Sequence, residues 1–266
     1  MRTREQITQE TEEISVYNMV IEVTRRCNMS CTHCLRGDAE CLDMNMRYVN
    51  QLFSKIDSIS NLTLTGGEPG LVPHIINKII DSAHRHNVEV SSFYLVTNAK
   101  KTSRKFVNTL LRLYEEFNSE YDANYNSYAE DAGWDENSMC AVQYSNDAYH
   151  DDRDREGFNL LRALRFVTPR NKENRAELAL IDQGRASFYH VCTGRNLTIE
   201  SFDIDQEAGH STIMDGTLYL SCNGWLISGC DWSFENMDND DHLSRICRVK
   251  DFTIDRLEEW RSEVCC

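Results

Sequence analysis

Short apolar runs alternate with longer stretches of helical periodicity along most of this chain. The run Val20–Val23 is continuous and brief, as a buried strand would be. Met46, Tyr48, Val49, Leu52, Phe53 and Ile56 then recur at helical spacing. Asn61–Thr65 alternates and is β-branched, so it predicts a second strand, ending in Gly66-Gly67-Glu68-Pro69. A second helix carries Ile75, Ile76, Ile79, Ile80 and Ala83. A third strand, Ser92–Val96, ends in Thr97-Asn98, and a third helix carries Phe106, Val107, Leu110, Leu111 and Tyr114. Met139–Tyr144 is the next strand and runs into Ser145-Asn146-Asp147. A helix with Phe158, Leu161 and Leu164 follows, then strands over Glu177–Ile181, leading to Gly184-Arg185-Ala186, and Leu197–Phe202. Strand alternating with helix predicts an α/β fold, a parallel sheet covered by helices. Polar or glycine-rich pieces sit just after each strand, the end at which such folds place their chemistry.

The rhythm changes after residue 210. Thr217–Cys222 and Trp225–Cys230 are alternating runs joined through Asn223-Gly224, a strong hairpin signal. A last helix spans Ile254–Trp260. Residues 118–138 also break the pattern. They hold Glu120, Asp122, Glu130, Asp131, Asp135 and Glu136, with Tyr121, Tyr125, Tyr128, Trp134 and no Lys or Arg. An acidic solvated face is the simpler account of that run, and a docking surface for a basic peptide is the sharper one.

The chemistry is concentrated at the end of the first strand, where Met19–Asp38 reads MVIEVTRRCNMSCTHCLRGD. Cys27, Cys31 and Cys34 are spaced CxxxCxxC, so one loop can wrap three sulfurs around a single metal centre. Two centres suit that set. One is a cubane iron–sulfur cluster with its fourth iron left open. The other is zinc, with a fourth ligand such as His33 or Cys41.

The CxxxCxxC loop and the GGEP sequence after the second strand together resemble the radical S-adenosylmethionine (radical SAM) superfamily. His33 stands where that family often has an aromatic residue. The resemblance implies a partial (β/α)6 TIM-like barrel over roughly residues 16–205. It also implies a [4Fe-4S] cluster on Cys27, Cys31 and Cys34, with S-adenosyl-L-methionine chelating the open iron. Gly66, Gly67, Glu68 and Pro69 would take the methionine end. The glycines would let backbone approach the ammonium with no Cβ in the way. Thr97 and Asn98 are candidates for the rest of the cofactor. So are Ser145 and Asp147, in a segment resembling the S-x-D of members that modify peptides and proteins. His150-Asp151-Asp152-Arg153 resembles their continuation. The implied reaction is reductive cleavage of S-adenosylmethionine to a 5′-deoxyadenosyl radical that abstracts hydrogen. An electron donor such as a flavodoxin or ferredoxin would drive it. No side chain is assigned a catalytic role.

The hairpin resembles the opening of the SPASM or Twitch extension of peptide-modifying members, in degenerate form. This divides the chain into a barrel domain, 1–210, and a C-terminal hairpin and helix extension, 211–266. A second cluster on Cys222, Cys230 and Cys247 with Cys265 or Cys266 stays open beside a metal-free extension. The upstream cysteine of the pattern is missing, Cys192 lying further back.

Charge narrows the partners. The formal net charge is −15, which disfavours a nucleic-acid substrate and fits a peptide, protein or small molecule. There is no apolar run long enough for a membrane span. Met1–Glu13 lacks the apolar core of a signal peptide, so the expected location is cytoplasmic, with the 11 cysteines mostly reduced. A glycyl-radical-enzyme activating enzyme and a non-catalytic zinc-binding interaction protein are the alternative functions.

Overall fold

The computed structural model describes residues 13–117, 142–145, 154–170, 180–191 and 197–264. The acidic run 118–138, Asp147, Cys192, Cys265 and Cys266 lie outside them. Five strands run in parallel in sequence order: β1 (Glu13–Thr24), β2 (Ser58–Gly66), β3 (Glu89–Thr97), β4 (Val142–Tyr144) and β5 (Val167–Pro169). Between them stand α1 (Met46–Phe53), α2 (Pro73–His86), α3 (Arg104–Phe117) and α4 (Arg155–Arg162), followed by the short α5 (Gly184–Phe188). The mixed α/β architecture with a parallel sheet is the expected fold class, consistent with a partial TIM-like barrel.

The helices form where the apolar spacing places them, and local chemistry sets their ends. Asn45 caps α1 by accepting from the Arg47 N–H, and Asp154 caps α4 by accepting from that of Gly157. Pro73 starts α2, whose C-cap Asn87 is left-handed at φ 56°. One face of the sheet offers Met19, Ile21, Leu62, Leu64, Phe93 and Leu95. These are buried in one cluster with Ile76, Ile79 and Ile80 of α2 and Leu110 and Leu113 of α3. Strand alternation sends Val20, Glu22, Thr63, Thr65, Tyr94 and Val96 to the other face.

The last two parallel strands are not where periodicity puts them. The fifth strand is Val167–Pro169, a short segment closing on Tyr144. Of the expected Glu177–Ile181, the described Leu180 and Ile181 form no named strand. Leu197–Phe202 is irregular, because side chains hold it in place of a ladder. Glu200 accepts from the Thr217 N–H at 2.9 Å through its carboxylate and from the Ser228 hydroxyl at 2.6 Å through its carbonyl. The Phe202 ring meets Trp260 edge-on.

The sixth parallel strand is instead β7 (His210–Leu220), on the free edge of β1. Antiparallel β6 (Asp203–Glu207) pairs with its first half, and β8 (Trp225–Ser228) with its second. Between the halves Asp215 takes φ 53° and the register against β1 slips, which makes room for both partners. The expected hairpin is present. Ser221–Gly224 forms its turn, with only Gly224 left-handed, at φ 77°. Next come α6 (Phe234–Asp238), β9 (Arg245–Arg248) beside β8, and α7 (Ile254–Val264). Residues 232–237 return over the sheet, where Trp232, Phe234 and Met237 bury Val20, Tyr219 and Ile227 in a second apolar cluster. That cluster covers the β1–β7–β8 side of the face opposite α2 and α3. No described helix is long and apolar enough to cross a membrane.

Candidate active site

The cysteine loop leaves β1 through a closed neck. Arg25 N–H donates to Leu42 O at 2.8 Å, Glu40 N–H to Arg25 O at 3.1 Å, and the Thr24 hydroxyl to Asp43 at 2.6 Å. Inside the loop the Cys34 N–H donates to Cys31 O at 3.2 Å. The start of α5 braces it from outside. Arg185 donates to Cys34 O through its N–H, at 2.9 Å, and to Cys31 O through Nε, at 3.1 Å. Gly184 permits this approach, since a Cβ there would stand 2.3 Å from Leu35 O.

The glycine pair is stitched to the same neck. Gly67 N–H donates to Thr24 O and Glu68 N–H to Arg26 O, both at 2.8 Å. A Cβ on Gly66 would lie 2.0 Å from Thr24 O, and one on Gly67 2.3 Å from Arg26 O. The missing Cβ atoms therefore serve first to let the end of β2 lie against the root of the cysteine loop. Making space for a bound ammonium is not their only use.

Glu68 is buried and acts as a bracket. One carboxylate oxygen accepts from the Gly70 N–H at 2.8 Å and the Thr97 hydroxyl at 2.7 Å. The other accepts from the Asn98 N–H at 2.7 Å. Asn98 then reaches the cysteine loop, donating to Asn28 Oδ1 at 2.9 Å with Cys27 Sγ at 3.7 Å. Burial pushes the Cys27 thiol up, and the carboxylate of Glu68 adds to it.

A cavity of about 300 Å³ opens at the carboxyl ends of the strands. Cys27, Cys31, Cys34, Gly66, Gly67, Thr97, Asn98 and Ser145 all line it. Glu68 and Pro69 stand behind that wall, Pro69 opening a 3-10 turn over Pro69–Leu71. Thr97 spends its hydroxyl on Glu68 and on the Ala99 N–H, so it is a brace at the rim. Ser145 is fixed through its N–H to Thr97 O. Three soft sulfur donors on one cavity wall suit a thiolate-held centre. Among the described residues, no three His, Cys, Asp or Glu side chains gather around one point as a single ion would need. Cys41 is exposed and does not line the cavity, whereas His33 does.

Several residues here carry no motif. Glu22 and Arg25 are fully buried within and just past β1. Arg25 donates to Glu22 at 3.3 Å, to Glu40 at 3.1 Å and to Asp238 at 2.6 and 2.9 Å, and its guanidinium lies 4.6 Å from the centre of the Phe234 ring. Glu22 also accepts from the Cys222 N–H at 2.6 Å, yet desolvation still raises its pKa. Arg36 donates to Trp232 O at 2.6 Å and stacks over Tyr219. Two arginines flanking the cysteines thus fasten the loop to residues 232–238. A charged residue inside an apolar strand, Glu22, is the sequence signal that marks this network.

The three extension cysteines among the described residues part company. Cys222 donates to Glu22 O at 3.3 Å, and burial drives its pKa far up. Cys247 is buried opposite Leu226 in β9, and Cys230 lines the cavity.

The sequence matches no protein-family model. An uncharacterized protein of Methanocaldococcus jannaschii is 26% identical over 100 residues, 36% of this chain and 35% of that protein. The match therefore spans about a third of that relative's length. Among solved structures, anSMEcpe with bound AdoMet is similar over 94% of this chain and 82% of that one, at 11% identity and a TM-score of 0.49. Streptococcus suis SuiB bound to precursor peptide SuiA is similar over 94% and 65% respectively, at 10% identity and a TM-score of 0.36.

Proposed function

We propose that this chain is a radical SAM enzyme that acts on a peptide or protein. One observation carries the proposal. The CxxxCxxC cysteines and the glycine pair line one cavity at the carboxyl end of a parallel sheet, and backbone hydrogen bonds from Gly67 and Glu68 fasten the GGEP turn to the root of the cysteine loop. In this assignment Cys27, Cys31 and Cys34 hold a [4Fe-4S] cluster, and Gly66, Gly67, Thr97, Asn98 and Ser145 border the S-adenosylmethionine. When bound, the pair supplies one-electron cleavage of the sulfonium, the source of hydrogen-abstracting chemistry.

The chain's own contribution is positioning. Asn98 ties the end of β3 to the cysteine loop, with its N–H donor 3.7 Å from the Cys27 sulfur. Glu68 holds Thr97, Asn98 and Gly70 in a fixed relation, so the rim is set before any ligand arrives. Arg25, Arg36 and Arg185 anchor the loop from three sides. The peptide assignment draws on the hairpin extension and on the net charge of −15, which would attract a basic partner. A one-electron donor of the flavodoxin or ferredoxin kind completes the system.

Anaerobic reconstitution with iron and sulfide, followed by metal analysis and reduction in the presence of S-adenosylmethionine, is the test. Expected are iron and sulfide in cubane proportion and release of methionine and 5′-deoxyadenosine. Stoichiometric zinc without iron would overturn it.

A further inference from the structure

Four of the described cysteines line the one cavity, and only three belong to the loop. The fourth, Cys230, enters from the β8 side, across β7, β1 and β2 from Thr97 at the end of β3, with Ser145 one strand further out. Its position is built. Gly229, at φ +80°, turns the chain at the end of β8, and its N–H donates to Thr217 O at 2.9 Å. The Trp232 indole closes the turn onto Ser228 O at 2.7 Å, and Arg36 clamps Trp232 O at 2.6 Å. Cys230 is thereby held between two fixed points. Cys222 and Cys247, which a shared metal would require beside it, are buried elsewhere. Burial and the adjacent Asp231 raise its pKa to about 11, so at neutral pH the sulfur carries its hydrogen.

A thiol on the wall of a cavity where carbon radicals are made has one distinctive property. Its S–H bond is weaker than an aliphatic C–H bond, so it gives up a hydrogen atom to a carbon radical downhill. We propose that Cys230 is a catalytic residue, a hydrogen-atom donor to the carbon radicals formed in this cavity: that of the bound substrate in turnover, and the adenosyl 5′ carbon when substrate is absent. The S–H bond breaks homolytically, a C–H bond forms, and sulfur is left as a thiyl radical. One electron from the flavodoxin- or ferredoxin-class donor and one proton from solvent then restore the thiol. This step presupposes the S-adenosylmethionine chemistry proposed above.

The test needs no knowledge of the substrate, because without one the available carbon radical is the adenosyl 5′ carbon itself. The full chain, loaded anaerobically with iron and sulfide, is turned over with S-adenosylmethionine and titanium(III) citrate in deuterated, thiol-free buffer. The thiol exchanges with solvent, so wild-type 5′-deoxyadenosine should carry a solvent deuterium. Cys230→Ala and Cys230→Ser should lose that label while keeping the wild-type iron content and cluster spectrum. As a protonated thiol Cys230 should resist iodoacetamide at neutral pH in the loaded wild type, as read by peptide mass mapping, and rapid alkylation there would overturn the donor form. Unlabelled wild-type product, or labelled product from both variants, overturns the donor role alone. Loss of iron in both variants would make Cys230 a cluster ligand and also overturn it. No 5′-deoxyadenosine from the wild type would overturn the cofactor assignment and this step together.

Discussion

Arg25 grips Asp238 through both carboxylate oxygens, at 2.6 and 2.9 Å, across 213 residues of sequence. The arginine side chain is fully buried and Asp238 is 38% exposed, so the bond joins the root of the cysteine loop to the rim of the C-terminal segment. Bidentate geometry makes it both strong and directional.

Arg25→Met should therefore destabilise the fold by about 2–4 kcal/mol, the cost of breaking a buried pair reduced for the solvent reaching Asp238 and Glu40. The loss should depend on pH. Burial raises the pKa of Glu22 above its unfolded value, and Arg25 is the main charge opposing that rise. A carboxyl with a raised folded pKa contributes most when protonated, and that contribution falls as pH climbs through the folded value. Removing Arg25 widens the shift, so the variant should be closer to wild type at pH 5 than at pH 8. Urea denaturation at both pH values measures this. An equal deficit at each would mean that Glu22 is not the group left exposed to the change.

Gly67→Ala should reduce iron loading as well as S-adenosylmethionine binding. The new Cβ would stand 2.3 Å from Arg26 O and 2.9 Å from Arg25 O, both backbone atoms at the root of the cysteine loop. Backbone has nowhere to retreat without moving the loop, and overpacking of this kind costs about 1–3 kcal/mol. Iron per chain after reconstitution and calorimetry with S-adenosylmethionine provide the two readings. A variant with full iron and weak cofactor binding would restrict the glycine's role to the ligand.

Glu68→Gln is isosteric but should not be mild. The carboxylate accepts from the Gly70 and Asn98 N–H groups and the Thr97 hydroxyl, spread over both oxygens. An amide offers one oxygen, and its NH2 would face either the Asn98 N–H or the pair from Gly70 and Thr97. A donor left unmatched in a buried place costs about 1–3 kcal/mol. Thermal unfolding should show the loss, and Thr97→Ser, which keeps its donor, should not.

Much of this site was legible because backbone chemistry leaves local marks. Strand periodicity located β1, β2 and β3 and the cysteine loop after the first of them. The turn glycines marked both the end of β2 and the hairpin. What stayed hidden was long-range. Nothing near Leu197–Phe202 reveals that Glu200 will hold it by side-chain bonds, so an apolar stretch read as a strand. The three-residue β5 is too short to carry a period. The parallel placement of β7 beside β1 depends on two distant strands meeting, and a hairpin signal cannot specify it. The steric role of Gly67 likewise depends on Arg26, which sequence separates from it by a strand and a helix.

The last prediction concerns Cys222 and Cys247. Both are buried, and Cys222 has its thiol directed at Glu22 O, with Glu22 itself bonded to the Cys222 N–H. A thiolate there would sit against a carboxylate in a dry environment, and burial followed by Glu22 drives the pKa of Cys222 sharply up. Burial likewise raises Cys247 to about 12. With the Cys222 thiol committed to Glu22 O and Cys247 buried in β9 beside β8, we expect these two to act as small apolar groups that pack the extension onto the sheet. A variant with alanine at Cys27, Cys31 and Cys34 should consequently bind no iron after anaerobic reconstitution. Cys222→Ala in the wild-type background should leave iron content unchanged and cost about 1 kcal/mol through its small cavity and the lost contact to Glu22. Iron retained by the triple variant, and lost when Cys222 is also removed, would place a second centre in the extension.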